Sequence, residues 1–236
     1  MPPRSPPVRR LSIPAPGSPR AANRRRWEAY APSINSAPKG RWGPEAQLIR
    51  EFRARYPAAP LAVIKYAPGQ TGVALDPDQR DWNVHSRHEA WDRLTAMTDA
   101  ALASCHLRLD AVFWMGNHHD GLSQEKASRV RENMRELVQA SRAKWGAGVP
   151  WIVGLPDDTA PYAAVVRRGL AELDWADPRI VSFDTADYTL QSDGLHYDAA
   201  AVIRLGRDFY AGWERLAASH SEERMPSGPQ RTGGGA

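Results

Sequence analysis

Residues 109–155, LDAVFWMGNHHDGLSQEKASRVRENMRELVQASRAKWGAGVPWIVGL, decide the fold class. LDAVFWM (109–115) and PWIVGL (150–155) are short apolar runs of strand length. Between them, 123–145 reads as one long helix with Ser123 as its N-cap. Strand, helix, strand in this order is a parallel crossover unit. The same alternation extends outward. GPEAQLIREFRARY (43–56) reads as a helix, with Pro44 in its first turn and Leu48, Phe52 and Tyr56 four apart. PLAVIKY (60–66) is a buried strand, and 88–103 is helical. Thr159 and Pro161 open a helix to about Asp174, RIVSF (179–183) is a strand, and 198–217 is the last helix. The expectation is an α/β fold with a mostly parallel central sheet between two helical layers. In such a sheet ligands gather at the carboxyl ends of the strands, here in loops 67–82, 116–122, 156–160 and 184–197.

The chain has 236 residues, 42% of them apolar, which suits one packed α/β domain, 41–217. No apolar run reaches the length of a membrane span. The single cysteine, Cys105, excludes an internal disulfide. Net charge is +4, unevenly spread: residues 1–40 carry eight Lys/Arg, one acidic residue and nine of the 20 prolines. This composition reads as a disordered leader, and 218–236 as a disordered tail. The start has charge but no apolar core, so it is not a signal peptide as written. Localisation stays open: the chain as written reads as cytoplasmic, and export is the alternative if residues precede Met1. No aromatic interleaving marks a base-stacking surface, so neither a nucleic-acid nor a membrane partner is expected.

SDGLHYDAA (192–200) carries the chemistry. Asp193 lies three residues before His196, so one loop can bring a carboxylate to an imidazole. The carboxylate would hold one ring nitrogen and leave the other free as a general base. The plainer reading is a surface turn capped by Asp193 or Ser192.

Taken in order, GPEAQLIREFRARYPAAPLAVIKYAPGQTG, DAVFWM and SDGLHYDAAAVIRLG resemble the SGNH (GDSL-like) hydrolases, and most closely the sialate O-acetylesterase-like carbohydrate esterases. The resemblance spans about 40–212. In that family a G-P-E helix precedes a strand ending K-x-A-x-G-G-T, a later strand ends W-x-Q-G-E-x-D, and D-x-x-H precedes the last helix. The resemblance implies His196 as general base and Asp193 as the triad acid. It implies a backbone oxyanion donor at Gly69, where a glycine lets an N–H approach the oxyanion unobstructed. Gln70 replaces the second glycine of that motif. WMGNHHD (114–120) keeps Trp114 and Asp120, but Gly116 stands for the family's oxyanion-binding Gln. Asn117, one position late, is a candidate substitute donor.

The family's nucleophile lies in a G-D-S or G-Q-S-N segment after its first strand, and no such segment occurs here. Ser12 and Ser18 stand in proline-rich context. Ser33 and Ser36 resemble the irregular stretch after the serine block. The first strand is expected to be missing from the sheet. The implied activity is hydrolysis of a carbohydrate O-acetyl ester, needing no cofactor, with little or no turnover by this chain. Two alternatives stand beside it: a non-catalytic carbohydrate-binding domain of the same fold, and a metal-dependent hydrolase using His118, His119 and Asp120. Metal binding needs three or four convergent ligands, and adjacent histidines on an extended chain diverge.

Overall fold

The computed structural model describes residues 9–12, 26–31, 41–77, 80–105 and 107–223. Its elements run β1 (Arg9–Ser12), β2 (Arg26–Ala29), α1 (Glu45–Arg55), β3 (Ala62–Val63), α2 (Ala90–Cys105), β4 (Val112–Met115), α3 (Gln124–Trp145), β5 (Trp151–Gly154), α4 (Ala163–Ala176), β6 (Ile180–Phe183) and α5 (Ala199–Glu223). The fold is α/β, as expected. β4, β5 and β6 form a three-stranded parallel sheet, with Trp151 of β5 opposite Val112 on one side and Ile180 on the other.

β5 explains the layering. All four of its residues are buried, as befits a central parallel strand covered on both faces. Successive side chains alternate. Trp151 and Val153 pack with Trp91 of α2, Met134 and Leu137 of α3 and Leu170 of α4. Ile152 points the other way, to Leu48 of α1 and Leu205 and Phe209 of α5. α3 lays one stripe on the sheet, with Ala127, Val130, Met134, Leu137, Val138 and Ser141 buried at helical spacing. α5 approaches its neighbours closely at two glycines. A Cβ on Gly206 would stand 2.5 Å from the Pro44 carbonyl oxygen, and one on Gly212 would stand 2.6 Å from Ile152 Cγ2.

Three expectations are corrected. The stretch read as a leader supplies two strands: β1 runs antiparallel to β2 and parallel to β3. Its polar sequence carries no strand pattern, and the strands rest on pairing and on Trp27. That indole donates to Ser104 Oγ of α2 at 2.9 Å and packs near Met97 and Ala101. The rest of the leader lies outside the described residues. The strand expected over 60–66 shortens to two residues, because β1 pairs with it only at Ala62 and Val63. It joins a separate sheet of order β2-β1-β3, so β4 stands at the edge of its own. The last helix passes 217 and ends at Glu223, with Leu216 buried beneath it. Among the described residues, no helix is long and apolar enough to cross a membrane.

Candidate active site

The loop after β6 folds back on itself. Leu190 and Tyr197 form an antiparallel bridge, and Gln191 N donates to His196 O at 2.7 Å. The turn between them needs a left-handed residue, which Gly194 supplies at φ 67°. Asp193 caps this turn, its Oδ1 accepting from the N–H groups of Leu195 and His196 at 2.9 Å each. Its Oδ2 lies 2.8 Å from His196 Nδ1. Those hydrogen bonds, the His196 backbone N–H foremost and its ring next, hold the Asp193 carboxyl far below the usual carboxylate range. An ionised carboxylate only accepts, so Nδ1 carries the proton and Nε2 presents its lone pair. The side chains of His196 and Asp193 are 58% and 48% exposed, so Nε2 is open to an incoming substrate.

The other expected loops meet this one through a chain of contacts. Asp120, fully buried, accepts from Val73 N at 3.0 and 3.1 Å and from Ala74 N at 3.1 Å. It thereby ties the segment after β3 to the end of β4. Burial pushes its carboxyl above the normal value, against the opposing pull of the Ala74 and Val73 N–H groups. His118 Nε2 lies 3.1 Å from Thr159 Oγ1, and Thr159 donates to Asp157. Tyr197 OH meets Thr185 Oγ1 at 2.8 Å, and Thr185 Oγ1 donates to the Leu155 carbonyl beyond β5. The loops after β4, β5 and β6 are thus linked along the carboxyl edge of their sheet, and Asp120 joins the segment after β3, which belongs to the other sheet, to that edge.

Gly69 sits in an exposed bend, with open space where a Cβ would stand. The backbone demand falls on its neighbour: Gln70 has φ 57°. Asn117 has φ 73°. Both occupy positions where the family motifs have glycine, and both keep the left-handed backbone that glycine adopts freely. Asn is among the side chains that tolerate this region best. Asn117 is 2% exposed. Its Oδ1 accepts from Trp114 Nε1 at 2.8 Å and its Nδ2 donates to Asp120 at 3.0 Å. The structure therefore gives its carboxamide a buried linking task, away from that of an oxyanion donor. Lys65 and Glu45, also within the quoted motifs, form an ion pair at 2.7 Å. A Cβ on Gly43 would stand 2.4 Å from the Lys65 Nζ and would have to displace the tips of this ion pair.

The metal alternative loses its ligand set. His118 turns to Thr159, Asp120 turns inward to backbone N–H groups, and His119 Nε2 lies 4.0 Å from Asp76 Oδ2. Among the described residues no three His, Cys, Asp or Glu side chains converge on one point. Ser12 is the last residue of β1, while Ser18, Ser33 and Ser36 lie outside the described residues. Sequence reasoning missed Tyr197 and Asp157. The only signal for Tyr197 was its place directly after His196.

A parallel α/β sheet with a histidine–carboxylate pair between its last strand and last helix is a framework for ester hydrolysis. The family model described as carbohydrate esterase, sialic acid-specific acetylesterase matches residues 12–213, and the chain belongs to this family. Its fold is similar to that of a crystallographically solved protein from Arabidopsis thaliana, with a TM-score of 0.70 and 21% identity, over 91% of this chain and 84% of that one. It is also similar to a carbohydrate acetylesterase from Xanthomonas citri, with a TM-score of 0.65 and 15% identity, over 90% of this chain and 49% of that one. No match was found among curated proteins. Family and fold together support an esterase-type function.

Proposed function

We propose that the chain carries the general-base half of a carbohydrate O-acetylesterase site, with His196 as base and Asp193 as its orienting carboxylate. The observation that carries this reading is the 2.8 Å Nδ1–Oδ2 contact on a half-exposed His196 side chain, which leaves Nε2 of the neutral ring free to take a proton. In the reaction, Nε2 accepts the proton of an attacking hydroxyl as it adds to the acetyl carbonyl. Asp193 stabilises the imidazolium that forms. The backbone N–H groups at Gly69 receive the oxyanion. His196 then returns the proton to the departing sugar oxygen, and water repeats the cycle on the acyl intermediate.

The sequence has no G-D-S or G-Q-S-N segment to supply the hydroxyl, and Gly116 has no side chain to help hold the oxyanion. The chain by itself is therefore expected to turn over p-nitrophenyl acetate slowly or not at all. Robust turnover abolished by His196→Ala would confirm the base and overturn the expected inactivity. Robust turnover that survives His196→Ala would sink the site assignment. The missing serine motif also favours a second reading, a carbohydrate-binding domain without catalysis. Calorimetric binding of an O-acetylated sugar, with no acetate released, would select it.

A further inference from the structure

The dyad is exposed and held by hydrogen bonds within its own hairpin, so something else must fix that hairpin to the body of the protein. Tyr197 meets this need. It follows His196 directly, in a backbone segment bridged to Leu190. Tyr197 is half-buried, whereas the His196 side chain beside it is 58% exposed.

The inward anchor is specific. Thr185 is fully buried, and its hydroxyl donates to the Leu155 carbonyl just beyond β5. A carbonyl only accepts, so the single Thr185 proton is committed there. The 2.8 Å contact between Thr185 Oγ1 and Tyr197 OH is then a hydrogen bond donated by the tyrosine. One phenol thus closes a relay across the ends of β5 and β6. Its ring stands edge-on to Tyr188 at 5.5 Å, and Tyr188 is fixed to α5 by donation to Asp208. Burial pushes the Tyr197 phenol up to about 12, so it remains a donor at neutral pH.

From this geometry we infer that Tyr197 is the positioning residue for the dyad: its hydroxyl, seated on Thr185, sets the direction in which His196 projects at the carboxyl edge of the sheet. The inference rests on the reading of His196 as the base, but its test does not require turnover.

Tyr197→Phe keeps the ring and removes the hydroxyl. Long-range 1H–15N spectra of the His196 ring report the tautomer that Asp193 enforces. Amide exchange at Gln191 and Asp198 reports the hairpin. The expected result is a drift of His196 toward the tautomer mixture of free imidazole and exchange roughly tenfold faster at both amides. Tyr188→Phe removes a hydroxyl bonded to α5 instead, and should leave the His196 spectrum unchanged. Thr185→Val, which deletes the acceptor and keeps Tyr197, should reproduce the Tyr197→Phe spectrum and serves if that variant fails to fold. A His196 spectrum unchanged in either Tyr197→Phe or Thr185→Val, or changed equally by Tyr188→Phe, would overturn the inference. Absence of His196-dependent ester hydrolysis would instead count against the esterase reading and leave the positioning result intact.

Discussion

Two residues hold left-handed backbone where the family motifs place glycine, and they do so differently. Asn117 offsets its conformation with two buried hydrogen bonds, whereas Gln70 stands in an exposed bend. Gln70→Gly should therefore stabilise the protein. A left-handed L-residue costs about 1–2 kcal/mol, and added freedom of the unfolded glycine returns about 0.5–1 kcal/mol of that. A net gain of up to about 1 kcal/mol should appear as a raised denaturation midpoint, and a lowered midpoint would contradict the strain. Asp120→Ala should do the reverse. It leaves the Val73 and Ala74 N–H groups and the Asn117 amide without their acceptor, at about 1–3 kcal/mol for each buried group. The pH dependences of the two carboxylates have opposite signs. The raised pKa of Asp120 contributes stability below its unfolded value, near 3.8, which is lost as pH rises through its higher folded value. The lowered pKa of Asp193 contributes stability above that unfolded value, lost as pH falls through its lower folded value. Denaturant midpoints of Asp120→Asn and Asp193→Asn, followed over acid pH, should diverge from the parent in these opposite senses. Asp193 and His196 were legible in the sequence because three residues of chain suffice to bring them together. The task of Asp120 was not, because its donors lie 46 and 47 residues away.

α5 reaches α1 and β5 through glycines that leave no room for a methyl group. Gly206→Ala would place a Cβ 2.5 Å from a backbone carbonyl and 3.0 Å from the Leu48 nitrogen, neither of which can swing aside as a side-chain tip would. The helix-propensity gain of about 1 kcal/mol is expected to lose to overpacking of about 1–3 kcal/mol. A midpoint equal to or above the parent's would mean that α1 shifts freely. The helices were legible because their apolar stripes follow the helical period, as α3 does over 22 residues. β1 and β2 were not, because RRLS does not alternate, the alternation of RWEA is only four residues long, and a four-residue strand is defined by what it pairs with. Hydrogen exchange tests them: the amides of Arg9–Ser12 and Arg26–Ala29 that pair in the ladder should exchange more slowly than in a random coil, and random-coil rates would remove both strands.

At the scale of the whole molecule, the alternation of apolar runs and helical stripes was enough to determine an α/β protein whose functional loops share one sheet edge. The reason is local: side-chain period and run length select each element, and a crossover between parallel strands then places every strand-to-helix loop on the same side. The spacing of Asp193 and His196, taken with the resemblance of the flanking motifs, nominated the site. Only the tertiary structure decided that three strands pair as one sheet while β3 pairs with β1 elsewhere, that Asn117 serves Asp120, and that His118, His119 and Asp120 diverge. It alone seats Tyr197 between the ends of β5 and β6. Apart from the Asn117–Asp120 bond, which spans three residues, these depend on groups far apart in the chain, whose meeting is fixed by packing of the cores and by the need of every buried donor for an acceptor, and neither requirement leaves a periodic mark on the sequence.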